Sequence, residues 1–189
     1  MSRQALKGFW ALIATQFQGA FSDMMYKTLL MLSAVGTAIS DEQKNDRVFT
    51  VNLLFTLPFL LFSPHGGFLA DRFNKRSVTV GTKCIEIVVM LLATLAGLRG
   101  DLTLGFVALF LLGAQAALFG PTKYSILPEL LPESRLSWGN GILELTTFVS
   151  IILGTVTGGF LVEALQQRIY VAGFLLIGLA CVGVAASHH

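Results

Sequence analysis

The sequence predicts an all-α membrane protein with six transmembrane helices, and three observations carry that prediction. Composition is the first: 54% of the residues are hydrophobic and 13% charged, about half the charged share of an ordinary globular domain. The second is the presence of six apolar stretches long enough to cross a hydrocarbon core, which takes roughly 20 residues at about 1.5 Å each. The third is where the charge sits. Much of it is confined to short links, above all to the island Gly67-Phe68-Leu69-Ala70-Asp71-Arg72-Phe73-Asn74-Lys75-Arg76. Hydrocarbon on either side tolerates neither free backbone nor loose charge, so this island must be a tight loop between two spans.

The predicted helices follow in order. The first covers about 8–35. It has a basic start like a signal peptide, but it contains Asp23 and Lys27 and lacks a clear small-residue cleavage site, so it reads as a retained helix. The charged segment 41–47 separates it from the second, 49–69. The island then leads into the third, 78–98. Arg99-Gly100-Asp101 turns the chain into the fourth, 102–127, and residues 128–135 join that to the fifth, 136–161. Gln166, Gln167 and Arg168 precede the sixth, 169–186. The ending Ala185-Ala186-Ser187-His188-His189 directly follows an apolar helix and reads as a truncation or a tag remnant. Three helices followed by three more form the half-unit of many carriers, in which the triplets are inverted repeats. Here Gln16 and Gln115 precede faintly similar stretches, Gly19-Ala20-Phe21-Ser22-Asp23 and Leu118-Phe119-Gly120-Pro121-Thr122.

Arg3, Lys7, Arg72, Lys75, Arg76 and Arg135 collect on one side, with Lys123 nearby; Lys44, Arg47, Arg99 and Arg168 lie on the other. That bias places the N-terminus and the island in the cytoplasm, and six spans return the C-terminus there. A net charge of +2 with no basic run outside the loops argues against a nucleic-acid partner. Cys84 and Cys181 fall inside apolar stretches, which makes a disulfide an unexpected use for them; no CxxC or His-rich metal spacing occurs. Neither a phosphate-binding GxxxxGK[ST] loop nor a catalytic Ser/His constellation is encoded. The chain is therefore expected to be neither an ATP-driven pump nor an enzyme, and to need no cofactor or metal.

The candidate functional residues are the charges inside the spans: Asp23, Lys27, Lys83, Glu86, Lys123 and Glu144. Each would cost roughly 2.5–3.5 kcal/mol at mid-bilayer if it faced lipid, so each should face a bundle interior or a watery cavity. Lysines near helix ends can instead snorkel to the interface, an alternative open for Lys27 and Lys83. Asp23 with Lys27, four residues apart, and Lys83 with Glu86, three apart, can also pair along one helix face. Glu144 lies roughly 12 Å into its helix, Glu86 at similar depth, and Asp23 about 21 Å along the first helix. Short acids at such depths cannot snorkel. Gly120-Pro121 is expected to interrupt the fourth helix just before Lys123, freeing a carbonyl about four residues upstream; a break lining a cavity and a simple packing kink both fit it. Gly154, Gly158 and Gly159 form a small-residue face for close helix approach. Trp10 and Trp138 fit an interfacial belt, and His65 an interfacial position.

The island resembles the cytoplasmic signature G-x-L-A-D-R-x-G-[RK]-[RK] of the major facilitator superfamily. Gly67, Leu69, Ala70, Asp71, Arg72, Lys75 and Arg76 match, while Asn74 replaces the second glycine; Asn also tolerates a left-handed backbone, which would let the turn survive. Residues 119–130, FGPTKYSILPEL, look like the F-x-P-x-K-Y-G-I-L-P-E-L stretch of bacterial lysophospholipid transporters. Gly139-Asn140-Gly141-Ile142-Leu143-Glu144, with Ile151 to Gly154, resembles their N-G-L-x-E…I-L-L-G segment. Gln16-Phe17 and 19–23 are similar to their Q-F-x-x-A-F-x-D-N, with Met24 in place of the final Asn.

The resemblance implies that residues 1–189 are the N-terminal six-helix half of a twelve-helix carrier whose C-terminal half is absent. It implies a secondary transporter of the bacterial inner membrane. Such a carrier moves lysophospholipids, for example lysophosphatidylethanolamine, from the outer to the inner leaflet for re-acylation. Possible partners are a fused or neighbouring acyltransferase and acyl-carrier-protein synthetase. A zwitterionic headgroup would set its ammonium against Asp23, Glu86 or Glu144 and its phosphate against Lys123 or Lys83, with Asp23 and Lys123 first because both fall in family-like motifs. The Gly67–Arg76 loop would gate, with Asp71 engaging a helix N-terminus or a neighbouring arginine. Two other readings stay open: a proton-coupled drug or metabolite carrier on the same fold, and the membrane portion of a fused acyltransferase protein.

Overall fold

The computed structural model describes residues 3–165 and 170–187. Among them the chain forms six α-helices: α1 (Arg3–Gly36), α2 (Asp41–Arg72), α3 (Lys75–Arg99), α4 (Leu102–Leu130), α5 (Glu133–Leu165) and α6 (Tyr170–Ser187). The link Gln166, Gln167 and Arg168, the start of the predicted sixth helix at 169, and His188 and His189 lie outside the described residues.

Helix ends are set by local chemistry. The charged segment 41–47 is not a linker but the opening turns of α2. Ser40 caps it by accepting from the Gln43 amide, Gln43 Oε1 accepts from the Ile39 amide, and Asp41 and Glu42 sit in the positive first turn. Gly100, at φ 63°, closes α3 in the left-handed conformation that glycine adopts without strain. Asp101 then caps α4 through the amides of Thr103 and Leu104. The joint expected at 128–135 shrinks to Leu131 and Pro132, because α4 continues through Pro128.

Five helices, α2 to α6, are long and apolar enough to cross a membrane, where six were expected. The exception is α1, whose middle carries Gln16, Gln18, Asp23 and Lys27. The first three are buried in the bundle, where α1 touches α2, α4, α5 and α6. A helix that buries polar groups against its neighbours is not apolar in composition.

The most extensive contacts join α1 to α5 and α2 to α4, followed by α3 to α4 and to α6. Glycine permits both of the leading approaches. A Cβ on Gly158 would lie 2.7 Å from the Met25 carbonyl oxygen, and one on Gly154 would strike the Phe21 carbonyl. Gly159 faces away, with nothing nearer than 4.0 Å, so the predicted small-residue face uses two of its three glycines. On the other crossing, a Cβ on Gly113 of α4 would lie 2.8 Å from the Phe55 carbonyl oxygen of α2. A Cβ on Gly66 of α2 would likewise lie 2.8 Å from the Ala117 carbonyl oxygen of α4. Ala117 is the residue whose carbonyl Pro121 leaves without its helical donor. The helix nevertheless runs unbroken through Gly120-Pro121, correcting the expected interruption: α2 presses a glycine onto the freed carbonyl, and the defect is absorbed by packing.

Two apolar clusters form the core. One gathers Met25, Leu29, Met90, Leu109, Leu112 and Leu176; the other gathers Phe9, Leu12, Leu127, Leu131 and Leu143 at the opposite end. Outward faces are apolar as well: Phe148, Ile152 and Phe160 of α5 and Leu60 of α2 are all exposed.

Candidate functional site

Between the two apolar clusters lies a belt of buried polar side chains. On α1 it comprises Thr15, Gln16, Gln18, Ser22 and Asp23; on α3, Thr79, Thr82, Lys83 and Glu86; on α4, Gln115 and Thr122. On α1 and α4 these residues have cluster residues before and after them in sequence, and on α3 they precede the cluster residues Val89, Met90 and Ala93.

One part of the belt is closed. Lys83 and Glu86, 1% and 0% exposed, pair at 2.7 Å. Gln18 bridges them: Lys83 Nζ donates to Gln18 Oε1 at 2.9 Å, and Gln18 Nε2 donates to Glu86 Oε1 at 2.8 Å and to Ser22 Oγ at 3.0 Å. Two glycines make room. A Cβ on Gly19 would lie 2.8 Å from Lys83 Nζ, and one on Gly183 of α6 would collide with Gln18 Oε1. The expected Lys83–Glu86 pairing holds, and Lys83 does not snorkel. Its partners are inside the bundle, where each bond replaces one that water would have supplied.

The other part is open. Asp23 is 8% exposed, and its Oδ1 has no hydrogen-bond partner in the structure; Thr122 Oγ1 shares that condition. Asp23 lies within electrostatic range of Lys83, Glu86 and Lys123, and Lys123 within range of Asp23 and Glu144. The Lys123 ammonium sits over the Tyr124 ring, 4.9 Å from its centroid. Glu144 accepts from the Tyr124 hydroxyl, and Gln16 of α1 donates to Thr147 Oγ1 of α5 at 3.2 Å. The predicted pairing of Asp23 with Lys27 does not form: Lys27 turns to the Phe55 ring, 5.0 Å from its centroid. Buried carboxylate oxygens are rarely left without a donor, which sets Asp23 apart from the fully bonded Glu86.

The island forms the turn between α2 and α3. Asn74 does not use a left-handed backbone. With φ −59° it is the N-cap of α3, accepting from the Arg76 amide at 3.0 Å. This is a role asparagine performs better than glycine. Gly67 is half-buried, and Asp71 and Arg72 are exposed at the end of α2, where the Arg72 guanidinium lies over Phe68. Lys75 ties this loop to α4, reaching Glu129 at 2.5 Å and the Ser125 carbonyl at 3.0 Å. Asp71, Asn74, Lys75 and Arg76 line a cavity of about 490 Å³ that reaches inward to Thr15 and Thr79, at the edge of the polar belt.

The structure thus places Asp23, Lys83 and Glu86 in the buried belt, and leaves Lys123 of α4 and Glu144 of α5 half-buried at its edge. Sequence reasoning missed Gln18. Its signal was the spacing Thr15, Gln18, Ser22, which puts three polar groups on one face of an apolar helix.

Comparison with known proteins agrees with this architecture. Proteins named Lysophospholipid transporter LplT from Salmonella newport (strain SL254), Salmonella agona (strain SL483) and Salmonella typhi are each 33% identical over 162 residues. That match covers 83% of this chain and 37% of each relative. The chain spans little more than a third of the length of those proteins. The sequence profile of the Major Facilitator Superfamily matches residues 12–187, and with multiple helices able to span a membrane around a buried polar belt, the chain belongs to that superfamily.

Proposed function

We propose that this chain is the N-terminal half of a secondary carrier that moves lysophospholipids from the outer to the inner leaflet of a bacterial inner membrane, where they are re-acylated. The observation that carries the reading is the open part of the belt. Asp23 offers an unpartnered carboxylate oxygen in the field of Lys123, the two opposite charges needed for the ammonium and phosphate of a zwitterionic headgroup. Glu144, tied to Tyr124 beside Lys123, orients that cation. Relatives named Lysophospholipid transporter LplT support the substrate class, and an acyltransferase, fused or neighbouring, is the expected partner.

Alternating access follows from rocking against a second half, with the Gly67–Arg76 loop as latch through Lys75 and Glu129. The N-terminus and this loop lie on the cytoplasmic side, in keeping with the Lys and Arg bias, and α1 is the sixth span. The helix pairing supports two three-helix repeats. Exchanging α1–α3 with α4–α6 maps the α1–α5 contact onto α4–α2, and α3–α4 onto α6–α1, all of which occur. Gln16 and Gln115, both buried, exchange as well.

The test is uptake of headgroup-labelled lysophosphatidylethanolamine into spheroplasts carrying the complete carrier with Lys123→Ala. Uptake is expected to fall about tenfold, the equivalent of ~1.4 kcal/mol, at normal expression. Undiminished uptake removes Lys123 from the mechanism, and a preference for cationic drugs over lysolipids would favour an exporter on the same fold.

A further inference from the structure

A second cavity, of about 640 Å³, lies at the end of the bundle opposite the Gly67–Arg76 loop. Its volume falls within the ~300–1,000 Å³ of small-molecule sites. Its walls are apolar over most of their depth, with Leu29, Leu30, Ala93, Val162 and Leu176 contributed by four helices. It runs from Tyr26 of α1 to Thr37, just past the end of that helix, roughly 16 Å at ~1.5 Å per residue. That is about half of a ~30 Å hydrocarbon core, the depth of one leaflet and therefore of one lipid tail. Polar groups gather where α1 ends and α4 begins. Ser33, Thr37 and Asp101 line that end, and Arg47 stands beside it, its Nη1 donating to Thr37 Oγ1 at 2.6 Å and to the Ala34 carbonyl. Those bonds use one nitrogen of a guanidinium that carries five N–H groups in a fork suited to phosphate.

We infer that this cavity is a binding site for a single-tailed phospholipid, its acyl chain between α1, α3, α5 and α6 and its phosphate at Arg47. The inference rests on the lysophospholipid reading above and adds an outer-leaflet station separate from Asp23 and Lys123. One tail matches the depth and volume; a second tail would have to lie outside. Burying a chain is favourable through each methylene removed from water. A bilayer lipid tail has that already, so the selective element is the cation at the mouth.

The experiment uses the chain in phosphatidylcholine nanodiscs. The probe is lysophosphatidylethanolamine bearing a diazirine near the end of its tail, with cross-linked residues mapped by mass spectrometry. Label is expected on Leu29, Leu30 and Leu176, falling about tenfold with Ser33→Phe, which fills the cavity, and with Arg47→Gln, which removes the phosphate partner. The footprint on the unsubstituted chain is a test in itself and does not depend on either variant folding. Label confined to the outward residues Ile152 and Phe160, or the same footprint from a diacyl phosphatidylethanolamine probe, overturns the inference. So does label unchanged by both substitutions. Because the footprint reads binding and not transport, the two readings fail separately. An absent footprint with uptake dependent on Lys123 removes only the station, and a footprint with uptake indifferent to Lys123 removes only the headgroup site.

Discussion

Two groups of charges share the polar belt of this bundle. Lys83, Glu86 and Gln18 form a closed set in which the ammonium, both carboxylate oxygens and the amide are engaged. Asp23 and Lys123, next to them, form an open set: one carboxylate oxygen has no partner and the cation lies over an aromatic ring. Burial is similar for both acids, so burial does not distinguish them. Satisfaction does. A closed set holds helices in register, here α1 and α3, and leaves little for a substrate to gain. An open set retains interaction energy that a ligand can use.

The comparison can be broken most directly at Glu86. Glu86→Leu leaves Lys83 as a lone buried cation and is expected to cost about 3–5 kcal/mol, seen as loss of monodisperse protein in detergent. Lys83→Met combined with Glu86→Leu should restore much of it. If the single substitution is tolerated, the closed set is not structural. Gln18→Leu keeps the ion pair but removes its bridge and is expected to cost about 1–3 kcal/mol, readable as a lower thermal midpoint. Asp23→Asn sharpens the contrast from the open side. Stability should hold while uptake of headgroup-labelled lysolipid by the complete carrier falls about tenfold, ~1.4 kcal/mol; a drop in stability without a drop in uptake would reverse the roles of the two sets. The smallest effect is expected from Lys75→Ala, at about 0–1 kcal/mol, since Glu129 is 61% exposed. Its signature, on the latch reading, is a changed transport rate at unchanged thermal midpoint.

Some of this was legible from residues alone. Apolar stretches of sufficient length, the charged island and the glycine spacing of α5 predict helices, turn and close approach, because each rests on local spacing or on the cost of charge in hydrocarbon. The helix starting at Asp41 was obscured because its first turns are charged and project beyond the apolar part. The Ser40 and Gln43 capping pattern was the signal for it. Asn74 was read as a replacement for glycine, although it precedes a helix and caps it.

The sequence by itself determined that this is a helical membrane protein of the facilitator type and which ionisable residues it hides in its spans. Spacing along one chain reports depth and face but not what lies across from that face. Only the tertiary structure decided that Gln18 bridges the Lys83–Glu86 pair and that Asp23 keeps an oxygen without a hydrogen-bond partner. Gln18 and Gly183 are 165 positions apart, and the packing of α1 against α6 brings them together beside Lys83. The same kind of packing sets Gly66 of α2 beside the Ala117 carbonyl that Pro121 frees, within a helix that continues through Pro121. Bridging of a buried pair by a third side chain depends on distances between helices, and those distances are set by where glycine lets two backbones meet.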